Sequence, residues 1–446
     1  MRSVEEHQRV VAHLITARAP IDVAIGDALG LVLAADVVAP LALPGFDNSA
    51  MDGYAIVAED IASASDEHPV KLPVAEDIPA GRTDSLVLQP GTAHRIMTGA
   101  PLPAGATAVI PVEATDGSTE IVSIRASVTP GHHVRRAGED VTAGTTVLHA
   151  GQVLTPAALG LAAALGLGAL NVVPRQRVLV MSTGSELVAP GTPLQPGQIY
   201  ESNAVMLAAA VRDAGAEVVT SSMTEDDVAA FRAELQTHAR GADLVITTGG
   251  VSAGAYEVVK DSFGDEVEFV KVAMQPGMPQ GAGVVWETPI VTLPGNPVSA
   301  LVSFEVFIRA PLRAAMGLAH PDRPRLSATL LEDLTSPRGR RQFRRGVLGP
   351  TRRAGAERPG DDTRRAGAER PGDDTRRAGA ERPGDDTRRA GAERPGDDNE
   401  GTTVTSYGPP ASHHLRWLAS ADCLLEIEED VAELKAGSPV RVWDLR

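Results

Sequence analysis

Three carboxylates follow three segments that the sequence predicts as strands of one sheet. Glu186 comes after RVLVM, Asp226 after EVVTSSM, and Glu257 after DLVI. Because parallel strands end at one edge of a sheet, we expect these acids to lie near each other. Crowded carboxylates repel unless a cation compensates them, and oxygen ligands without cysteine point to Mg²⁺. The alternative is that each acid is a solvated surface residue.

Gly249 and Gly250, followed by Val251 and Ser252, stand at a predicted junction between a strand and a helix. Glycines there let backbone N–H groups approach an anion closely, and the helix dipole stabilises negative charge. The junction suits a phosphate or pyrophosphate, although a glycine pair also serves simply to reverse the chain. The spacing matches neither G-x-G-x-x-G nor G-x-x-x-x-G-K-[ST], which disfavours a dinucleotide or P-loop site.

The elements that would position these residues alternate between short β-branched segments and helices from residue 177 to residue 316. This alternation predicts a mostly parallel sheet with helices on both faces. Residues 44–140 indicate a β-rich module of short strands broken by Gly and Pro. After the sheet, RLSATLLED, RQFRRGVL, DCLLEIEED and SPVRVWDL predict a small β-barrel or sandwich. The predicted fold class is therefore multidomain α/β plus β.

Two helices are predicted outside this region. Near the N-terminus, one helical face would carry Val4, His7, Val11 and Leu14. Thr155 followed by Pro156 is typical of the cap and first turn of a helix, here an Ala-rich one.

The segment TRRAGAERPGDD occurs four times in tandem from Thr351 to Asp398. Each copy balances three arginines against three acids and has no large apolar residue, so it cannot bury a core. We therefore expect a solvated, disordered insert in a surface loop, with an interaction arm as the alternative.

Composition excludes several classes of function. A net charge of −17 argues against a nucleic-acid partner, which requires clustered positive charge. The single cysteine, Cys423, forms neither an internal disulfide nor a Cys-based metal site. Glu5 and Glu6 stand where a signal peptide needs an apolar core, and the uncharged stretch 151–174 is broken by polar residues and glycines. We expect a cytoplasmic protein that binds no membrane.

Six strings occur in the order PGFDNSAMDGYA, RIMTGAPLPAGA, RRAGEDV, STGSEL, GGVSAG and LPGNPVSA. They resemble the MoeA and gephyrin E-domain family, the molybdopterin molybdenumtransferases, and the match runs from end to end apart from the repeat. The resemblance implies insertion of molybdate into adenylylated molybdopterin, with Mg²⁺ present and AMP released. It also implies a homodimer with a shared active cleft, built from the α/β domain of one subunit and the inserted module of the other. Other enzymes of the molybdopterin pathway would be further partners.

The resemblance also divides the chain into domains. It implies a helical linker and dimerisation region over 1–45 and 141–172, and an inserted β module over 46–140. It places the parallel-sheet molybdopterin-binding α/β domain at 173–318. The C-terminal β-barrel-like domain would cover 319–446 and carry the insert 351–398.

Motif by motif, the family's functional residues fall on positions of this chain. The catalytic set is Asp52, Thr98, Asp140, Glu186, Asp226, Glu257 and Lys271, of which Glu186, Asp226 and Glu257 are the expected Mg²⁺ ligands. The substrate-binding set adds Pro294, Asn296, Pro297, Arg345 and Ser412 to Gly249, Gly250 and Ser252.

The chain departs from the family pattern at several positions. Gln275 and Met278 in QPGMP stand where many members have lysines, which removes two positive charges from an anion site. Ser185, Ala255 and Ala411 also replace residues common in the family. Two alternatives to the molybdate-inserting enzyme stay open. One is a non-catalytic molybdopterin-binding scaffold, which has no need of the retained acids. The other is an enzymatic paralogue that handles tungstate or a different pterin.

Overall fold

The computed structural model describes residues 1–224, 227–250, 258–349 and 401–446. The chain forms two compact units. The smaller unit consists of Ala17–Arg175 with Ala314–Ala319, and the larger of Met1–Thr16, Gln176–Arg313 and His320–Arg446. The helices are α1 (Val4–Leu14), α2 (Pro156–Ala164), α3 (Asn203–Asp213), α4 (Val228–Ala239), α5 (Val258–Phe263), α6 (Pro297–Ser303), α7 (Arg309–Ala315) and α8 (Leu415–Ala419). Within the described ranges, none of them has the length and apolar character that a bilayer crossing requires.

The N-terminal helix α1 belongs to the larger unit. It begins with a capping box, in which the Ser3 hydroxyl accepts the Glu6 N–H at 3.1 Å and the Glu6 carboxylate accepts the Ser3 N–H at 2.9 Å. Val4, His7 and Val11 are buried, as the apolar face predicts. Leu14, the fourth residue of that face, lies at the end of the helix and is only partly buried.

The smaller unit is built mainly from short strands around α2. A five-stranded sheet in the order β8-β5-β7-β6-β9 forms the β-rich module that the sequence predicts, and its core includes Tyr54, Ile56 and Ile110. A second sheet, β1-β12-β2, contributes to the core that α2 covers. The strands are β1 (Ile21–Ala24), β2 (Val32–Leu33), β3 (Val37–Val38), β4 (Asn48–Ser49), β5 (Gly53–Ile56), β6 (Val70–Ile78), β7 (Ala93–Ile96), β8 (Ala108–Pro111), β9 (Ile121–Ile124), β10 (Val134–Arg135), β11 (Thr146–Leu148) and β12 (Ala169–Val173).

Helix α2 begins where the sequence predicts. The Thr155 hydroxyl accepts the Ala158 N–H at 3.2 Å, and Pro156 occupies the first turn. Proline costs nothing at this position because the first N–H groups of a helix have no partner within it.

The larger unit contains a six-stranded sheet in the order β16-β13-β17-β21-β20-β18. Strands β16, β13, β17 and β21 are parallel, as predicted. Their core includes Leu179, Phe231, Phe263 and Ile290. The strands of this part are β13 (Arg177–Thr183), β14 (Leu187–Val188), β15 (Ile199–Tyr200), β16 (Glu217–Thr224), β17 (Leu244–Thr248), β18 (Val267–Lys271), β19 (Met274–Gln275), β20 (Pro279–Val285) and β21 (Thr288–Leu293).

Strand β20 was not predicted, and it makes the sheet mixed because it runs antiparallel to both β18 and β21. Its glycines are not typical of a strand, so a pattern of β-branched residues does not indicate one here. The sheet nevertheless requires these glycines. An added Cβ on Gly281 would collide with the Thr292 hydroxyl, and one on Gly283 with the Glu266 carbonyl. Since β18 and β21 are both antiparallel to β20, β18 still ends at the same edge as the parallel strands.

The C-terminal strands close into a barrel, which confirms the barrel prediction. The order is β24-β25-β22-β28-β26, and β26 pairs back to β24. The core includes Leu330, Val404, Leu425 and Val442. The strands are β22 (Arg325–Leu330), β23 (Leu334–Thr335), β24 (Arg341–Gly349), β25 (Thr403–Ser406), β26 (Cys423–Ile427), β27 (Glu433–Leu434) and β28 (Pro439–Asp444).

The repeat 351–398 lies outside the described residues, but the strands on either side of it are described. β24 and β25 are antiparallel neighbours, and Gly349 at the end of β24 pairs with Thr403 at the start of β25. The chain therefore leaves the barrel and returns to it at adjacent positions of one strand pair.

We expect deletion of residues 351–398 to leave the stability of the barrel and the substrate affinity unchanged. The composition of the repeat cannot support packing, and a shorter loop between the same paired strands costs less closure entropy. Thermal unfolding and substrate titration at low and high salt measure both properties. A variant carrying the same residues in scrambled order is the matched control. A several-fold change in affinity at low salt, with stability intact, would show instead that the repeat is regulatory.

Candidate active site

A cleft of about 1000 Å³ opens at the carboxyl ends of β13, β17 and β21 in the larger unit. The predicted strand exits line it, together with a loop of residues 410–415 from the barrel region. Its lining includes Glu186, Tyr200, Glu201, Thr248, Gly249, Gly250, Gln275, Met278, Pro294, Asn296, Pro297 and Ser412. The predicted convergence of strand exits at one edge of the sheet is thus present in the fold.

Two glycines bring the exits of β13 and β17 into direct contact. Gly249 and Gly250 have φ angles of +91° and +60°, which residues with a Cβ rarely adopt. A Cβ on Gly249 would lie 2.6 Å from the Thr183 carbonyl oxygen, so any side chain would push the two loops apart. The exit of β21 is also close, because a Cβ on Gly295 would lie 3.5 Å from the Gly249 Cα. The three loops therefore pack backbone against backbone, and a ligand can approach the main chain there.

Glu186 is exposed in the turn after β13 and lines the cleft. Gly184 makes room for it, because a Cβ there would lie 2.8 Å from a Glu186 carboxylate oxygen. Asp226 and Glu257, the acids expected to share Mg²⁺ with Glu186, lie outside the described residues. Among the residues that are described, no three His, Cys, Asp or Glu side chains form a group able to hold a metal ion. The oxygen chemistry of the Glu186 carboxylate fits Mg²⁺.

Glu201 is a second acid in the cleft, and no sequence motif marked it. It is only 6% exposed. Its Oε1 accepts the Ser182 hydroxyl at 2.9 Å and the Ala204 N–H at 2.6 Å, at the start of α3. The available signal was the string YESN directly before an apolar helix, since acids are favoured at helix N-termini.

The loop from Pro294 to Pro297 forms one wall of the cleft and leads into α6. The Asn296 side chain makes no capping hydrogen bond to this helix, and the residue is exposed. Its amide is therefore available to a ligand. Ser412 is anchored beside this wall, because its carbonyl accepts the Val298 N–H at 3.1 Å.

Arg345 and Lys271 do not line this cleft. Arg345 is 4% exposed within β24 and donates to the carbonyls of His414, at 2.9 Å, and Pro409. These carbonyls flank Ser412, so Arg345 orients the loop that carries it. Lys271 is exposed at the end of the edge strand β18. Contact of either residue with substrate stays a prediction.

The described residues that line the cleft carry a negative charge. Glu186 and Glu201 contribute carboxylates, and no lysine or arginine is among the described lining residues. Gln275 and Met278, at positions where the resembled family often has lysine, form part of the wall. An anionic ligand therefore needs positive charge from elsewhere to offset this field.

In the smaller unit, three strings that are far apart in sequence come together. β4 in PGFDNSAMDGYA pairs with β10, which leads into RRAGEDV. The N–H of Gly99 in RIMTGAP donates to the Ser49 carbonyl at 2.8 Å. Asp52 then accepts both the N–H and the hydroxyl of Thr98, each at 2.7 Å. Two of the predicted catalytic residues are therefore direct partners.

The two hydrogen bonds from Thr98 stabilise the negative charge of the Asp52 carboxylate. The backbone N–H of Thr98, followed by its hydroxyl, holds the pKa of the Asp52 carboxyl below its usual value. The side chain is exposed. The smaller unit thus presents a fixed negative charge on its surface at this point.

Asp47 links all three strings. Its carboxylate accepts the Ala137 N–H at 2.8 Å and the Arg136 guanidinium at 2.6 Å. Its carbonyl accepts the Leu102 N–H at 2.9 Å. The Ala137 N–H, assisted by Arg136, holds the pKa of Asp47 below its usual value.

We expect Asp47→Asn to make the stability of the smaller unit less sensitive to acid. A carboxyl whose pKa is lower in the folded state stabilises the protein above its unfolded pKa of about 3.9. That contribution is lost as the pH falls through the lower, folded value. Wild-type protein should therefore lose stability over this range more steeply than the variant.

Thermal unfolding midpoints measured from neutral pH down to about pH 3 test this expectation. The control is Asp66→Asn, which removes an exposed carboxylate of the same unit. If the unfolding midpoints of the wild type and of Asp47→Asn depended equally on pH, the Asp47 pKa would not be lowered in the folded state, which would contradict the prediction.

Most of the predicted site residues fall into two groups, to neither of which Arg345 and Lys271 belong. The cleft of the larger unit brings together Glu186, Gly249, Gly250, Pro294, Asn296, Pro297 and Ser412. The turns of the smaller unit hold Asp52, Thr98 and Asp140. Asp140 is exposed, and its backbone N–H donates to the Leu43 carbonyl at 3.1 Å. Asp226, Ser252 and Glu257 lie outside the described residues.

Comparison with known proteins covers nearly the whole chain. Three family models match: the MoeA N-terminal region (domain I and II) over residues 2–166, a probable molybdopterin binding domain over 179–314, and the MoeA C-terminal region (domain IV) over 386–445. Molybdopterin molybdenumtransferase 2 of Mycobacterium tuberculosis is 62% identical over 453 residues, which cover 100% of each chain. Molybdopterin molybdenumtransferase of Bacillus subtilis is 33% identical over 77% of this chain and 82% of its own. The crystal structure of a molybdopterin biosynthesis MoeA protein from Pyrococcus horikosii is 27% identical, with a TM-score of 0.72 over 100% of this chain and 99% of that one.

Proposed function

The chain belongs to the MoeA family, and on this premise we propose that it is a molybdopterin molybdenumtransferase of molybdenum cofactor biosynthesis. The proposed reaction inserts molybdate into adenylylated molybdopterin and releases AMP. The observation that best supports it is the cleft, where strings far apart in sequence line one cavity. Its volume of about 1000 Å³ lies at the upper end of the range for small-molecule sites, as a large nucleotide-linked pterin requires.

The residues of the cleft suit the parts of such a substrate. The main chain at Gly249 and Gly250 can approach a pyrophosphate closely, since glycine carries no Cβ. The Asn296 amide, which the helix leaves free, can donate to and accept from the polar edge of the pterin. Arg345 acts through the loop it orients, so that Ser412 is held beside the Pro294–Pro297 wall.

The negative lining makes a cation requirement part of the proposal. Mg²⁺ held by Glu186 with Asp226 and Glu257 would neutralise charge on the pyrophosphate and on the acids themselves. Without such compensation, Glu186 and Glu201 would repel the anionic substrate.

We further propose a cytoplasmic homodimer in which the inserted module of one subunit completes the cleft of the other. The division of the predicted catalytic residues supports it: Asp52, its partner Thr98 and Asp140 belong to the smaller unit, while Glu186 belongs to the larger. If all of them act on one substrate, catalysis requires both units. Other enzymes of the molybdopterin pathway would deliver the substrate and receive the product.

The test is incubation of the purified protein with adenylylated molybdopterin, Mg²⁺ and either molybdate or tungstate, with AMP followed over time. The proposed enzyme releases AMP faster with molybdate. Faster release with tungstate would identify the paralogue. A scaffold would bind molybdopterin and release no AMP with either oxyanion, and that result would overturn the proposal.

A further inference from the structure

Glu201 is a buried carboxylate on the wall of the cleft, and its surroundings are specific. Oε1 accepts the Ser182 hydroxyl at 2.9 Å and the Ala204 N–H at 2.6 Å, while Oε2 accepts the Val205 N–H at 3.4 Å. Buried carboxylates are costly unless several donors stabilise the charge. Here the donors come from two elements, the end of β13 and the start of α3.

The contact continues to a third element. The hydroxyls of Ser182 and Thr248 lie 3.0 Å apart, and both are buried. Because a carboxylate can only accept, the Ser182 proton is committed to Glu201. The Thr248 hydroxyl must then donate to Ser182. The hydrogen bonds therefore run in one direction, from Thr248 in β17 through Ser182 in β13 to Glu201.

Asn203, two residues further along, reaches the remaining wall of the cleft. Its side-chain amide donates to the Gly295 carbonyl at 2.6 Å. Gly295 belongs to the exit of β21, between Pro294 and Asn296. The segment from Glu201 to Asn203 is therefore bonded directly to the ends of β13 and β21, and through Ser182 to the end of β17.

We propose that Glu201 and Asn203 are positioning residues, which hold the loops 183–186, 248–250 and 294–297 in the arrangement that binds substrate. The inference rests on the proposed function for its substrate, and it adds residues that none of the motif strings contains. A fixed acceptor at the base of these loops is what keeps their spacing constant.

The experiment compares Glu201→Met, Thr248→Val, Thr248→Ser and Asn203→Ala in the full chain. Thr248→Val removes one hydroxyl at nearly constant volume, and Thr248→Ser restores it. Asp265→Asn is the control, since it removes an exposed charge of the same unit away from the cleft. The readouts are kcat and KM for AMP release, equilibrium binding of molybdopterin, and the thermal unfolding midpoint.

We expect Glu201→Met, which removes both acceptor oxygens, and Thr248→Val each to lose about tenfold to a hundredfold in kcat/KM, because small displacements of positioned groups are costly. Asn203→Ala should lose substrate affinity in the same way. Thr248→Ser should recover activity relative to Thr248→Val, and Asp265→Asn should match the wild type. The double variant Glu201→Met/Thr248→Val should be no worse than either single variant, since each single substitution already breaks the same chain of hydrogen bonds.

Three results would overturn the inference. The first is wild-type kcat/KM in Glu201→Met or Thr248→Val. The second is a double variant whose loss is the product of the single losses. The third is a lowered unfolding midpoint with unchanged turnover per folded molecule, which would make the residues merely structural. If wild-type protein released no AMP, the proposed function would fail, while the order of the variants in molybdopterin binding would still decide the inference.

Discussion

Replacing Asp52 with asparagine should reduce AMP release by about a hundredfold to ten-thousandfold, the range typical of a lost catalytic acid or base. The introduced amide would keep an oxygen able to accept both Thr98 hydrogen bonds, so the turn should keep its structure. What the variant loses is the negative charge. The wild-type carboxyl is ionised well below neutral pH, because Thr98 lowers its pKa, so this charge is present under all ordinary assay conditions.

Two further variants separate charge from position. Thr98→Val keeps the carboxylate and the backbone hydrogen bond but removes the hydroxyl, and it should cost less activity than Asp52→Asn. Asp60→Asn changes a carboxylate of the same unit that also accepts a backbone N–H, outside the three converging strings, and should leave activity unchanged. Near-normal AMP release by folded Asp52→Asn would remove this residue from the catalytic set.

The sheet and the cleft were predictable because local patterns specify them. Short β-branched segments alternating with helices indicated the parallel strands, and the topology of such sheets puts ligand sites at the strand ends. Strand β20 was not predicted because it contains two glycines, Gly281 and Gly283, which pack closely against Thr292 and the Glu266 carbonyl. That requirement arises from neighbouring strands and leaves no periodic trace in the sequence.

The site residues likewise include some that local motifs predict and some that depend on tertiary contacts. Asp52 and Thr98 were predicted one by one from their motifs, but their direct hydrogen bonds depend on strands that bring positions 46 residues apart together. Glu201 was missed because burial of a carboxylate is a tertiary property. Arg345 was expected in the substrate-binding set, and its hydrogen bonds to two carbonyls exist only once the barrel is formed.

The central claim is that catalysis needs acids from both units, supplied by different subunits. Asp52 represents the smaller unit and Glu257 the larger, and each can be changed to its amide. Alone, Asp52→Asn and Glu257→Gln homodimers have one defective contribution to every cleft, so both should be inactive. A mixed dimer differs, because one of its two clefts combines the intact halves of the two subunits.

The most direct measurement is AMP release by an equal mixture of the two inactive proteins after subunit exchange, verified by mass. Random pairing makes half of the dimers mixed, with one good cleft in two, so activity should return to about a quarter of wild type. A mixture containing the same amount of each variant, cross-linked as homodimers before mixing, is the control and should stay inactive. Full exchange with activity no higher than that control would contradict the shared cleft.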